Sequence, residues 1–140
     1  MAAVISWVVL IGCGLLPAYA AAQGDTTAPV EAAICELAQH PERFADKRIE
    51  VRGTVESGVA DLPAGLMSES CGAEVKFFMP DDERMARLVK SRGFRKLVKE
   101  VKRHPVVEAT VSGLFRVTGT HEKPTLELSL EAVESVAVKR

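Results

Sequence analysis

The sequence contains few aromatic residues. One Trp, one Tyr and five Phe make up 5% of 140 residues. Proteins that bind nucleic acid without sequence preference stack successive bases on several exposed aromatic side chains, inside a positively charged groove. The shortage of aromatic residues and the formal net charge of −1 therefore argue against nucleic acid as a partner.

Histidine is also scarce, and no residue pattern typical of catalysis is present. His40, His104 and His121 each stand alone beside a turn or a proline, without the spacing of metal ligands. No Ser or Cys lies in a recognisable nucleophile motif. We therefore predict that the protein is not an enzyme and that it holds no metal ion and no cofactor.

The first 23 residues carry no charged side chain. An apolar run from Val4 to Leu16 is followed by small residues typical of a signal peptidase site. We interpret residues 1–22 as a signal peptide that is cleaved after Ala20 or Ala22, which predicts export to the periplasm or the extracellular space. Two alternatives stay open, an uncleaved membrane anchor and a leader lipidated at Cys13, and either one would be the only membrane contact.

Removal of such a leader leaves two cysteines, Cys35 and Cys71. Disulfides form and persist in oxidising compartments, and an even pair there indicates one bond. We predict a Cys35–Cys71 disulfide. A thiol pair that binds metal or performs redox chemistry is the alternative, but the sequence has neither a C-x-x-C motif nor clustered histidines.

The most basic part of the sequence lies between Glu83 and His104. Nine Lys or Arg stand there against two Glu, a local net charge of +7, so the remainder carries −8. A basic helix of this kind can dock an acidic partner, an anionic lipid or a polyanion, or it can simply present a solvated face. Both interpretations stay open. The candidate basic patch comprises Arg92, Arg95, Lys96, Lys99, Lys102 and Arg103.

The order of apolar and polar residues predicts a mostly β fold with two helical regions. Helical spacing of Val30, Ile34, Leu37 and Ala38 predicts an N-terminal helix that ends at His40. A second helical region, kinked or divided in two, is expected between the third and fourth strands, and a bulge or short turn is expected at Glu134. Alternation predicts five strands, at Lys47–Ser57, Leu66–Ser68, Glu74–Met79, Val107–Val117 and from Leu126 onward.

Five curved antiparallel strands with a helix that closes one end describe an OB-like β-barrel. We predict a single OB-like domain over residues 25–140, with an N-terminal helix and a helical insertion between strands 3 and 4. A mature chain of this size can bury enough surface for such a core. An open α+β sheet with the same number of strands is the alternative.

Five segments carry a resemblance to known proteins: Ile34–Leu37, His40–Phe44, Lys47–Gly53, Cys71 and Val133–Val136. The chain resembles a group of uncharacterised exported bacterial proteins with OB-like barrels. The resemblance covers most of the mature chain. It implies the fold and the compartment, and it brings no known activity and no catalytic residues.

OB-folds bind ligands on strands 2 and 3 and on the loops between strands 1 and 2 and strands 4 and 5. On that basis we expect a non-catalytic binding module for an unknown ligand. The alternative is an envelope domain that docks an acidic partner, such as an envelope protein, through its basic helix; in both cases we expect a monomer. The candidate ligand-binding residues are Arg52, Lys76, Phe78, His121 and Lys123.

Overall fold

The computed structural model describes residues 28–80 and 82–139. The predicted signal peptide, its cleavage positions and Cys13 lie outside the described residues. In chain order, the elements are β1 (Val30–Ala33), α1 (Ile34–Gln39), α2 (Pro41–Phe44), β2 (Arg48–Ser57), a 3₁₀ turn (Val59–Asp61), β3 (Pro63–Met67), β4 (Glu74–Phe78), α3 (Asp82–Lys90), α4 (Arg92–Arg103), β5 (Val107–Gly119) and β6 (Pro124–Val138).

The strands form one mixed sheet of six in the order β1-β2-β3-β4-β6-β5, and β2 also pairs with β5. Hydrogen bonds therefore run in a ring through the five strands from β2 to β6, while β1 pairs outside the ring. Strand β2 is antiparallel to both β3 and β5, whereas β4 is parallel to β6. The predicted mostly β composition and the helices between the third and fourth ring strands are confirmed.

The core consists of the side chains that alternate toward one side of the ring. On β5, Val107, Ala109, Val111 and Phe115 are buried, as the period of two predicts. The other large side chains that are fully buried come from every remaining ring strand and from α1 and α4. They are Leu37, Ile49, Val51, Leu66, Val75, Leu97, Leu128 and Leu130.

The N-terminal helix is shorter than the sequence predicts. Residues Val30–Ala33 form strand β1, which pairs in parallel with the Ile49–Arg52 part of β2, and the helix begins only at Ile34. Val30 is half exposed and is not part of a buried helical stripe. The prediction of helix over Val30–Ala33 was wrong because pairing with the free edge of β2 satisfies this backbone, and that pairing leaves no local signal in the sequence.

Strand β6 is irregular at the position that the sequence predicts. Val111 is paired with Val133 and Thr110 with Ser135, so Glu134 is an extra residue and forms a bulge. A second shift leaves Glu131 extra, opposite the step from Ser112 to Gly113. The two bulges let a long strand pair curve around the core.

The basic segment forms two helices, and the break between them lies at Ser91. The Ser91 Oγ accepts a hydrogen bond from the Phe94 N–H at 3.4 Å and donates one to the Leu88 carbonyl at 2.6 Å. Ser91 therefore caps α4, as serine commonly does at a helix N-terminus. Helix α4 buries Phe94 and Leu97 against the sheet, which leaves its basic side facing water.

The predicted disulfide is confirmed. Cys35 and Cys71 are bonded, with a Cα–Cα distance of 6.1 Å. The bond joins α1 to the loop between β3 and β4, and the Cys35 Sγ also lies 3.2 Å from the Ser68 Oγ in that loop. This link holds the N-terminal segment against the ring of strands.

Candidate functional site

The structure distributes the five predicted ligand-binding residues over three places. Lys76 and Phe78 lie on β4, and both are exposed. His121 and Lys123 lie in the exposed turn between β5 and β6, where the Lys123 N–H donates to the Thr120 Oγ1 at 3.1 Å. Arg52 lies on β2 and lines a cleft that the other four do not line.

Phe78 is the centre of a small polar and aromatic face on β4, β5 and β6. Its side chain is 45% exposed, and the Arg116 guanidinium lies 4.1 Å from the centre of the ring. Arg116 is held in turn by Glu127, whose Oε2 accepts from the Arg116 Nε at 2.9 Å, and the Thr118 Oγ1 donates to the other Glu127 oxygen at 3.2 Å. The sequence predicted Phe78, but Arg116 was missed because it comes from a strand distant in sequence.

Two carboxyl groups approach each other beside this face. Glu56 on β2 and Lys76 on β4 are both paired with Gly65 of β3, and Glu74 lies two residues before Lys76. Burial raises the pKa of Glu56, and a hydrogen bond with the Glu74 side chain and the Glu74 charge raise it further, while Lys76 acts in the opposite direction. The surroundings of Glu56 thus favour its protonated form. No sequence signal identifies this pair, because β3 separates its members.

The cleft near Arg52 is open and has a volume of about 830 Å³. It lies between the β1–α1 segment and β2, and it is lined largely by polar side chains. The Arg52 guanidinium bonds to the Glu108 carboxylate, and the Lys139 Nζ lies 3.2 Å from the same carboxylate. Glu108 of β5 therefore joins Arg52 of β2 to Lys139, the residue that follows β6.

The Glu108 carboxylate remains ionised between the side chains of Arg52 and Lys139. Its side chain is only 14% exposed. That burial by itself would raise its pKa, but the hydrogen bonds from Lys139 and Arg52 and their charges outweigh burial and hold the pKa below its usual range. Glu108 stays ionised, so this network serves first to join strands.

The basic patch lies along the exposed side of α4. Its six cations form no ion pair or hydrogen bond within residues 28–80 and 82–139. The one acidic residue of α4, Glu100, lies 3.2 Å from the His104 Nε2. Glu131 of β6 pairs with Arg48, Glu127 of β6 pairs with Arg116, and Glu108 of β5 pairs with Arg52. The acidic body of the protein does not neutralise the patch at close range.

Within the described part of the chain, no three His, Cys, Asp or Glu residues gather closely enough to hold a metal ion. None of the helices that the structure describes is long and apolar enough to cross a membrane. No protein family model matches the chain, and no curated protein sequence matches it either. The resemblance to exported OB-like proteins consequently stays a prediction.

Proposed function

We propose that the protein is an exported, non-catalytic binding module with an OB-fold, and that its ligand binds on the face around Phe78. The exposed Phe78 ring with Arg116 beside it is the observation that carries the proposal. Export is supported by the Cys35–Cys71 disulfide, since such bonds persist mainly in oxidising compartments.

Strand order supports the OB-fold part of the proposal. Strands β2, β3 and β4 follow one another as antiparallel neighbours, and the chain then returns through α3 and α4 so that β5 lies beside β2. Three consecutive strands and a fourth that returns beside the first form a Greek key. A five-stranded Greek-key barrel is the description of an OB-fold.

The chemistry of the Phe78 face favours a ligand with a flat apolar surface and hydroxyl or amide groups at its edge. Phe78 of β4 offers an aromatic ring. Lys76, also on β4, offers hydrogen-bond donors, and Glu127 on the neighbouring strand β6 offers an acceptor. Sugar rings and peptide side chains have both properties. Phe78 is the only exposed aromatic side chain among the described residues, which argues against a run of stacked bases.

A binding screen tests this proposal. The full chain is applied to arrays of oligosaccharides and short peptides, and the affinity for the best probe is then measured for the variant Phe78→Ala. We expect affinity to fall about tenfold or more, which corresponds to about 1.4 kcal/mol. Val30→Ala, which removes an equally exposed apolar side chain from β1, should bind like the natural protein. Equal affinity of both variants would overturn the proposed site.

A second candidate function is docking to an acidic partner through α4. It is favoured by the six cations of the basic patch, which have no partner within the described residues. An extract of envelope components is passed over the immobilised full chain, and the bound material is compared for the double variant Lys96→Glu, Lys99→Glu and the control Arg43→Glu, Lys47→Glu. Loss of an acidic partner in the first variant alone supports docking. Equal retention by both variants contradicts it.

A further inference from the structure

A shallow apolar groove adjoins the basic patch. It has a volume of about 510 Å³, and Leu62, Val89, Phe94 and Val98 contribute apolar side chains to it. Arg95, Lys99 and Lys102 of the patch line the same groove. Apolar surface and unpaired positive charge therefore occupy one continuous region of the molecule.

Val59 of the 3₁₀ turn next to α4 and Leu62, which follows that turn, expose apolar side chains to water. Val59 is 90% exposed and Leu62 is 46% exposed. The backbone between them is strained, because Ala60 has a φ of 57° and Asp61 a φ of 58°, in the left-handed region that residues with a Cβ avoid. Folding thus holds an unfavourable turn that presents apolar groups to solvent, and strain of this kind is concentrated at functional sites.

The charged side chains that line the groove are all positive, and they are Arg95, Lys99 and Lys102. Lys90, Arg92 and Lys96 line a second pocket that shares Arg95 and Lys99 with the groove; Glu100, which also lines that pocket, is paired with His104. Positive charge beside protruding apolar side chains requires a partner that is negative at its surface and apolar beneath it. An anionic phospholipid bilayer has this layered structure, with phosphates above acyl chains.

We infer that the protein binds the surface of an anionic phospholipid bilayer through Val59, Leu62, Val89 and the cations of α4, which is a membrane contact beyond the one expected of the leader. The inference rests on the second candidate function, docking to an acidic partner, and assigns that partner. A soluble polyanion would leave Val59 and Leu62 in water. An acidic peptide in the groove would also leave Val59 outside, since Val59 does not line it.

Co-sedimentation with vesicles tests the inference. The full chain is mixed with vesicles of phosphatidylcholine alone and with vesicles that contain one quarter phosphatidylglycerol. Binding to neutral vesicles measures the apolar contributions, including that of the leader, and the increase on anionic vesicles measures the contribution of the cations of the proposed surface. Each cation near such a membrane contributes about fivefold in partitioning, so we expect an increase of at least tenfold at low salt.

Variants separate the electrostatic contribution from the apolar one. Lys99→Glu with Lys102→Glu should abolish the increase, while Arg43→Glu with Lys47→Glu, the same charge change at exposed positions outside the patch, should retain it. Val59→Ser with Leu62→Ser should retain binding at low salt and lose most of it at physiological salt, where screening weakens the charge contribution. Circular dichroism confirms that each variant is folded.

The outcomes distinguish this inference from the function on which it rests. If binding does not increase on anionic vesicles, the lipid proposal is wrong. Docking to another acidic partner is then tested by the extract experiment alone. If an acidic, leucine-containing peptide binds instead and Lys99→Glu removes that binding, the partner is a peptide and the lipid proposal is overturned. If the serine variant binds anionic vesicles fully at physiological salt, the apolar part of the proposal is wrong.

Discussion

The carboxyl group of Glu56 is held in surroundings that disfavour its charge. Burial and the neighbouring Glu74 raise its pKa in the folded protein. A group whose pKa is raised by folding stabilises the protein at pH values below its unfolded pKa. That contribution is lost as the pH rises through the folded pKa.

We therefore predict that Glu56→Gln increases stability at neutral pH. Glutamine keeps a hydrogen-bonding side chain beside Glu74 and removes the ionisation that favours the unfolded state. The melting temperature of the variant should exceed that of the natural protein at about pH 7 and match it below about pH 4, where an unperturbed Glu is largely protonated. Glu122→Gln, in the exposed β5–β6 turn, controls for loss of one negative charge.

Gly113 permits a close approach of two backbones in the β5–β6 pair. A Cβ at this position would overlap the Ser129 carbonyl oxygen, which belongs to the backbone and cannot rotate away. The register of the two strands shifts between Ser112 and Gly113. The two strands lie so close together at this position that only a residue without a Cβ fits between them.

Gly113→Ala should consequently destabilise the protein by about 2 kcal/mol or more, the usual range for a forced overlap in a packed interior. Urea unfolding followed by circular dichroism measures the change. Ser135→Ala, at an exposed position of β6, should alter stability by less than about 0.5 kcal/mol. Equal stability of the two variants would show that β6 can move away from β5 at this point.

Among the elements, β1 and α1 depend most on a covalent link. Strand β1 pairs with β2 outside the closed ring, α1 follows it directly, and the Cys35–Cys71 bond fastens α1 to the loop after β3. The sequence predicted the bond from the number of cysteines but not the strand that it secures. Parallel pairing of four residues with a distant strand leaves no mark in the local order of residues.

Removal of the disulfide should cost about 3–4 kcal/mol, the loop-entropy value for cysteines 36 residues apart. We expect Cys35→Ser with Cys71→Ser to unfold at lower urea concentration than the natural protein. Reductant should lower the midpoint of the natural protein to a similar value and leave that of the variant unchanged. A reductant effect on the double variant would mean that some other thiol chemistry is responsible.

Over the molecule as a whole, the closed ring of hydrogen bonds should govern local stability. Strands β2, β5 and β6 each have partners along both edges within the ring, whereas β1 is an edge strand and α3 carries little buried side-chain surface. Local opening is easiest where few buried apolar contacts hold the backbone.

Amide hydrogen exchange should therefore be slowest at the centres of β2, β5 and β6. It should be faster in β1 and fastest in α3. Reduction of the disulfide should accelerate exchange in β1 and α1 more than in β5. Protection in α3 equal to that in β5 would contradict this order, since it would require packing that the buried residues of α3 do not provide.

Much of this fold was already determined by the sequence. The alternation from Val107 to Val117 and the bulge at Glu134 depend on neighbouring residues, and the disulfide follows from the even number of cysteines that remain after the leader. The division of the second helical region into two was likewise among the outcomes that the sequence allowed, and α3 and α4 are separate helices.

Tertiary structure alone decided what the side chains on the surface can do. Arg116 beside Phe78, Glu56 beside Glu74 and Arg52 bonded to Glu108 all join residues from separate strands. Their pairing depends on register around the ring, and no local pattern encodes register between distant strands. For the same reason, only the structure showed that the cations of α4 lack partners within the described residues and lie beside an apolar groove.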